Sequence, residues 1–551
     1  MLRGLMMDRP LLTTALLRHG AQNHGGATVA SRFAKEAPHS YTYRQAWGRT
    51  QQLAHVLLEL GVKGGDRVGT LAWNDHRHFE LYYAVPGIGA VCHTINPRLF
   101  PEQIVYIINH AQDRWLFVDP MFLPLVEKLW PQLKGVEGVV LLTTPELMPQ
   151  ESSLPTLLCY ETLLAATPPA FDWPEFDENT ACGLCYTSGT TGNPKGVLYS
   201  HRSSVLHAYG FLTAPGINIS AADVALVVVP LFHVNAWGYP YAAPIIGTKL
   251  VLPGPKLDGR SVYELMEQEQ VTVSSGVPTV WLNLLAHLRQ SGARFSSLKR
   301  VTVGGSALPK AMLEEFESVH GVECFQGWGM TEMSPIGTVG ALSPQELTLP
   351  LAEQHERKLK AGRSLFGVEM EIIGADGTPQ PHDGEARGEL VVRGPWITKG
   401  YYNDEAANDG AFTDDGWFRT GDVATIDTTG AMQIVDRAKD VIKSGGEWIS
   451  SIDLENAAMG HDAVQEAAVI GVPHPKWQER PLLVIVRRPG ESLEKDELMA
   501  FLEARIAKWW LPDDIVFVDD LPHTATGKLL KTELRRRFAN HVLPTAVQAA
   551  E

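Results

Sequence analysis

The chain has 551 residues, enough for about three or four core-sized units. Its 44% hydrophobic and 20% charged content excludes global disorder, a fibrous repeat and a small stapled scaffold. With 47 basic against 63 acidic residues the net charge is −16. Such a surface repels phosphate backbones, which argues against general nucleic-acid binding and requires any anionic ligand to meet a locally cationic site.

In chain order, the first third alternates helix and strand. Leu53, Val56, Leu57 and Leu60 recur at helical spacing within residues 43–60, and Gly61 ends that helix. A strand is predicted at 67–72, a helix at 102–110, a strand at 115–119, a helix at 122–133 and a strand at 139–143. Strands resume at 182–186, 224–229 and 301–303. This alternation predicts a mostly parallel sheet covered on both faces. From about Gly367 short strands with turns take over, at 368–373, 389–393 and 432–435. Beyond Asp436 come strands at 467–472 and 482–486 and helices at 497–507 and 529–538. The expected fold class is α/β. Residues 1–436 would form a large domain of layered α/β subdomains plus a β-rich subdomain, and 437–551 a small mobile α+β domain. Five cysteines, few and odd in number, fit a reducing compartment. No signal peptide and no apolar run near the roughly 20 residues of a membrane span is seen, so a soluble, cytoplasmic protein is expected.

The densest chemical signal is YTSGTTGNPKGV at residues 186–197. Glycines let backbone N–H groups approach a phosphate, hydroxyls donate to its oxygens, and Lys195 supplies charge. It is not a Walker A loop, because Pro194 precedes Lys195 and Gly196 follows it. Further segments appear in order: PLFHVNAWG at 230–238, GGSALP at 304–309, QGWGMTE at 326–332, WFRTGD at 417–422, DRAKDVIKSGGEWIS at 436–450 and TATGK at 524–528. Together these motifs resemble those of the acyl-adenylate-forming enzymes over essentially the whole chain. The segments FHVNAWG at 232–238, 444–456 and 474–481 are most similar to those of bacterial medium- and long-chain fatty-acid–CoA ligases, and the related 3-methylthiopropionate–CoA ligases share them, together with the segment at 92–104.

The resemblance implies an ATP-dependent fatty-acid–CoA ligase that forms acyl-AMP and then acyl-CoA, releasing pyrophosphate and AMP. A short-chain ligase, loading of a separate carrier protein and a non-catalytic nucleotide binder are the alternatives. ATP and coenzyme A would be co-substrates, Mg2+ the cofactor, and a homodimer the assembly. By the same resemblance, Thr187, Ser188, Gly189, Thr190, Thr191, Gly192 and Lys195 would hold the β,γ-phosphates. Thr331 would contact the α-phosphate and Glu332 would hold Mg2+. Gly304, Gly305 and Ser306 would line the adenine slot, Trp328 would stand where the family has a stacking aromatic, and Gln326 and Gly327 would also bind ATP. Asp422 would accept the ribose hydroxyls and Arg437 would approach from the far side. His233, Val234, Asn235 and Trp237 would line the acyl pocket, with His233 and Trp237 one helical turn apart and Trp237 as its gate. Lys439 would be the hinge. Lys443 and Trp448 would close over the adenylate, Gly445 and Gly446 would line the pantetheine tunnel, and Lys528 would be the catalytic lysine. His523 stands where arginine is common. Two other clusters are read as structural: Cys182 and Cys185, spaced as CxxC in an apolar strand without a second pair, and His76 and His78 beside Arg77, expected on a solvated face.

Overall fold

Two sheets built on parallel strands carry most of the first 360 residues. The first runs in the order Leu157–Cys159, Gly138–Leu141, Asp113–Val118, Arg67–Leu71, Val91–Thr94, Ala181–Tyr186 and Gly196–Ser200. Only its last pair is antiparallel. Parallel neighbours need crossovers, and these put helices on both faces. On one face Leu53, Val56 and Leu57 of the helix Tyr43–Glu59 pack with Val68, Cys92 and Trp115. On the other, Ile104, Ile107 and Ile108 of Pro101–Ala111 pack with Leu116, Val118 and Leu184. The computed structural model describes all residues except 188–192, 438, 445–446, 525–527 and 547–551 and the side chains of Glu447 and Trp448.

The second sheet is ordered Arg363–Ser364, Ile336–Val339, Glu323–Gly329, Arg300–Val303, Val273–Gly276, Val224–Leu226, Lys249–Leu252, Thr28–Ser31 and His39–Thr42. An antiparallel four-stranded sheet follows, Glu369–Ile373, Gly388–Arg393, Phe418–Ile426 and Met432–Arg437. The chain then enters a five-stranded sheet with helices Ser451–Met459, Lys495–Glu503 and Lys531–Arg537 around it. Arg437 is still paired with Asp422. The next strand, Ile442–Ser444, belongs to the five-stranded sheet, so the change of sheet falls between Arg437 and Ile442. The junction is stitched by short bonds: Asp436 Oδ2 accepts from Ser451 N at 2.7 Å and Ser451 Oγ at 2.6 Å, and Ser450 Oγ donates to Val435 O at 2.6 Å.

Three local expectations are corrected. The strand expected over 224–229 stops at Leu226, because the Asn74 amide takes over: its Nδ2 donates to Val227 O and Val229 O, each at 2.8 Å. The helix expected over 122–133 is α-helical only over Leu123–Leu129, with 3-10 turns on either side. Pro131 has no N–H to extend it. His76, Arg77 and His78 are buried rather than solvated. Arg77 spans Glu161 and Glu36 at 2.8 Å each. Burial pushes both imidazoles down to about 4, so they are neutral at ordinary pH. Glu36 and Glu161 are far away in the chain, so local spacing gave no hint of this network. Among the described residues no helix is long and apolar enough to cross a membrane.

Candidate active site

A cavity of about 1430 Å³ lies where the two parallel-stranded sheets, the four-stranded sheet and the last domain meet. Its lining brings together Thr187, Lys195, His233, Val234, Trp237, Gly304, Gly305, Ser306, Gln326, Gly327, Trp328, Thr331, Glu332, Asp422, Arg437, Lys439 and Lys528. Asn235 is buried outside that lining, and Lys443 is exposed and likewise outside it, so neither contacts the cavity in this pose. Ser188, Gly189, Thr190, Thr191, Gly192, Gly445 and Gly446, and the Trp448 side chain, lie outside the described residues.

The two ends of the glycine-rich segment are pinned to each other. Thr187 N donates to Lys195 O at 2.9 Å, and Lys195 N donates to Thr187 Oγ1 at 3.1 Å. Lys195 Nζ sits 4.7 Å from the centre of the Tyr401 ring. On the other side of Tyr401, Thr331 and Glu332 lie in a single 3-10 turn fixed from outside. Tyr199 Oη donates to Thr331 O at 2.7 Å and Thr398 N to Glu332 O at 2.7 Å. The Glu332 carboxylate accepts from Tyr401 Oη at 2.8 Å. Among the described residues no group of three His, Cys, Asp or Glu side chains is arranged to hold a metal. A hard cation here would have one protein carboxylate, Glu332, and take its other ligands from phosphates and water. That donor set suits Mg2+ bound with a nucleotide.

Asp422 takes one donor on each carboxylate oxygen. Trp328 Nε1 donates to its Oδ2 at 3.0 Å and Arg437 Nε pairs with its Oδ1 at 2.9 Å. Each oxygen thus has one donor and keeps a lone pair for a hydroxyl. Opposite register positions on adjacent strands bring Asp422 and Arg437 together. Gly304 must lack a side chain: a Cβ there would lie 2.8 Å from the Trp237 ring and 3.1 Å from Gly327 O.

Lys528 enters from the last domain, its backbone bonded to Thr524. Thr524 N donates to Lys528 O at 2.6 Å and Lys528 N to Thr524 Oγ1 at 3.1 Å. A Cβ on Gly305 would stand 3.5 Å from Lys528 Cε. Burial first, then the Arg437 charge, bring this amine down to about 8, against the opposing pull of Asp422 and Glu332. His233 is pushed down to about 3 by burial and by Lys528, so it stays neutral. His523, just before Thr524, lies 3.6 Å from Glu466.

The acyl-pocket segment departs from expectation. His233 and Trp237 are not a helical turn apart on an α-helix. Val234, Asn235, Ala236 and Trp237 all have φ between 45° and 56°, a left-handed turn closed by Ala236 N donating to Pro230 O at 3.2 Å. Each such non-glycine residue costs about 1–2 kcal/mol, and Cys185 Sγ helps hold the turn by accepting from Val234 N at 3.4 Å. Cys182 and Cys185 are both buried and free. Two cavity-lining residues were not singled out from the sequence, Tyr401 and Arg98, whose guanidinium lies over Trp73 at 5.4 Å, nor was Tyr199, which is buried and holds Thr331 O. Only the GYY run at 400–402 could have drawn attention to Tyr401.

The family model for AMP-binding enzymes matches residues 17–402, and that for the AMP-binding enzyme C-terminal domain matches 453–528. A 3-methylmercaptopropionyl-CoA ligase of Ruegeria lacuscaerulensis is 50% identical, covering 97% of this chain and 98% of that one. A medium-chain-fatty-acid–CoA ligase of Ectopseudomonas oleovorans is 45% identical over the full length of both. A long-chain-fatty-acid–CoA ligase of Thermus thermophilus is 47% identical, covering 97% of each. Among solved structures, an anthranilate CoA ligase in complex with anthranoyl-AMP superposes with a TM-score of 0.86 at 26% identity, covering 97% of this chain and 99% of that one.

Proposed function

Because the chain belongs to the AMP-binding enzyme family and is an AMP-forming acyl-CoA ligase, we propose that its acid is a medium- to long-chain fatty acid. The supporting observation is the apolar part of the cavity. Ile217, Val229, Ile336 and Val339 line it and share one packed cluster with Trp237. An alkyl chain would satisfy such walls, whereas a polar tail would lose its hydration there.

In the first step the acid's carboxylate oxygen attacks the α-phosphorus of ATP, forming a mixed anhydride while pyrophosphate leaves. In the second the CoA thiol attacks the acyl carbonyl, the C–O bond to AMP breaks, and the thiol proton is lost to solvent. On this reading Lys528 sits between the two anions of the first step, Lys195 and Thr187 face the outer phosphates, Thr331 the α-phosphate, Trp328 the adenine and Asp422 the ribose. Mg2+, when bound, would be held by Glu332 and neutralise phosphate charge. The two steps need different groups at one adenylate, which supports a last domain that swings about Lys439.

A second reading, 3-methylthiopropionate as the acid, is favoured by the 50% identity to the Ruegeria ligase. CoA-dependent AMP formation across acids from propionate to palmitate, with 3-methylthiopropionate included, separates the two. A fatty-acid tunnel predicts kcat/KM rising about fourfold per CH2 through octanoate. An optimum at 3-methylthiopropionate with octanoate poorly used would give the second reading. In the same panel Trp237→Ala should shift the preferred length by at least two carbons and change acid selectivity more than the KM for ATP. If only thermal stability falls, Trp237 is a wall and not a gate.

Trp328→Phe keeps a ring for adenine but removes the donor to Asp422. The KM for ATP should rise about threefold to tenfold, and the preference for ATP over 2′-deoxy-ATP should narrow. An unchanged ratio of the two nucleotides would show that the indole N–H has no part in ribose recognition.

A further inference from the structure

We propose that Tyr401 is a positioning residue that aims the Glu332 carboxylate at the outer phosphates of ATP, an inference that rests on the metal-bearing role proposed for Glu332. Tyr401 touches two opposite charges of the phosphate end at once. Its hydroxyl donates to Glu332 Oε1 at 2.8 Å and its ring carries Lys195 Nζ at 4.7 Å. The tyrosine is itself held on several sides. Its N–H donates to Asn408 Oδ1 at 2.7 Å, and the next residue's N–H donates to Gly196 O at 2.8 Å, next to Lys195. Its ring packs against Cys182, Cys185, Val197 and Tyr199.

A carboxylate on a glutamate turns easily about its last bond, because that torsion is broad. A fixed hydroxyl on one oxygen removes the freedom and leaves the other oxygen in a set direction. An ionised carboxylate can only accept, so in this contact the phenol O–H is the donor. The contact with Lys195 is of a weaker kind, an ammonium against a ring face, which an arriving phosphate can replace. Tyr401 therefore keeps the anion rigid and leaves the cation free to move to the nucleotide.

Equilibrium binding of MgATP and of AMP, measured by calorimetry on the full chain, tests this. AMP lacks the outer phosphates and so reports on the rest of the site. Tyr401→Phe should weaken MgATP about tenfold or more, the usual cost of removing a group that orients a metal ligand. AMP affinity should change less than about twofold. In Tyr401→Phe combined with Glu332→Gln, the loss should be no greater than in Glu332→Gln alone, since one effect acts through the other. Equal weakening of AMP and MgATP, or additive losses in the double variant, would overturn the proposal by making Tyr401 a packing residue. If Glu332→Gln weakens MgATP and Tyr401→Phe does not, the proposal alone fails. If Glu332→Gln binds MgATP normally, the metal reading fails and takes the proposal with it.

Discussion

Lys528→Ala is expected to cut ATP–pyrophosphate exchange by about a hundredfold or more, the scale of losing one strong charge-stabilising contact, while leaving thioester formation from synthetic acyl-AMP and CoA close to normal. The lysine is half-buried in the cavity lining, near Gly305 and within reach of the Arg437, Asp422 and Glu332 charges. A cation there is worth most when a carboxylate and a phosphate must approach each other. In the second step no new anion pair forms, so its loss should matter little. The pH profile gives an independent reading. The amine, lowered to about 8 in the free enzyme, is charged below that value and neutral above it. kcat/KM for adenylation should therefore be level below pH 8 and fall about tenfold per unit above it. His233 stays neutral over the whole range and adds no second inflection. Equal damage to both half-reactions in Lys528→Ala would make Lys528 structural and remove the basis for domain alternation.

Glu332→Gln is expected to slow adenylation by about a hundredfold at ordinary Mg2+, with part of the loss recovered at high Mg2+. Glu332 is the acidic side chain of the Thr331–Met333 turn, and the turn's backbone is tied by Tyr199 and Thr398. The amide should therefore occupy the same place without the charge, and the melting temperature should barely move. Pyrophosphate release at the native rate and native Mg2+ dependence would refute the assignment.

Much of this site could be read from the sequence because its chemistry is carried by short segments. Lys195 sits in a run whose glycines and hydroxyls point to phosphate by themselves, Thr331, Glu332, Asp422 and Lys528 are singled out by the resemblance of their segments to the adenylate-forming motifs, and the cavity gathers all five. The alternating strands and helices were legible for a related reason: local periodicity reflects which face is buried. What escaped depends on long-range partners. The buried state of Arg77 is decided by Glu36 and Glu161. The strand ending at Leu226 is decided by Asn74. The Val234–Trp237 turn is left-handed without a glycine at any of its four positions, against local preference, and is held by bonds to Pro230 and Cys185. Tyr401 escaped because its two polar contacts come from segments about 70 and 200 residues earlier in the chain.

The stitched junction between the last domain and the rest of the chain has a kinetic consequence. Asp436 and Val435 lie before the hinge, and Ser450 and Ser451 after it. Lys531, also beyond the hinge, bridges Ser451 and Glu455 and draws on the Asp436 charge. In the proposed alternation, any swing that separates the two sides must first break buried bonds to a carboxylate and expose that carboxylate to water. The movement then resembles the opening of a clasp more than the drift of a tethered body. Its barrier would be largely enthalpic, and its rate would respond to temperature far more than to the viscosity of the medium.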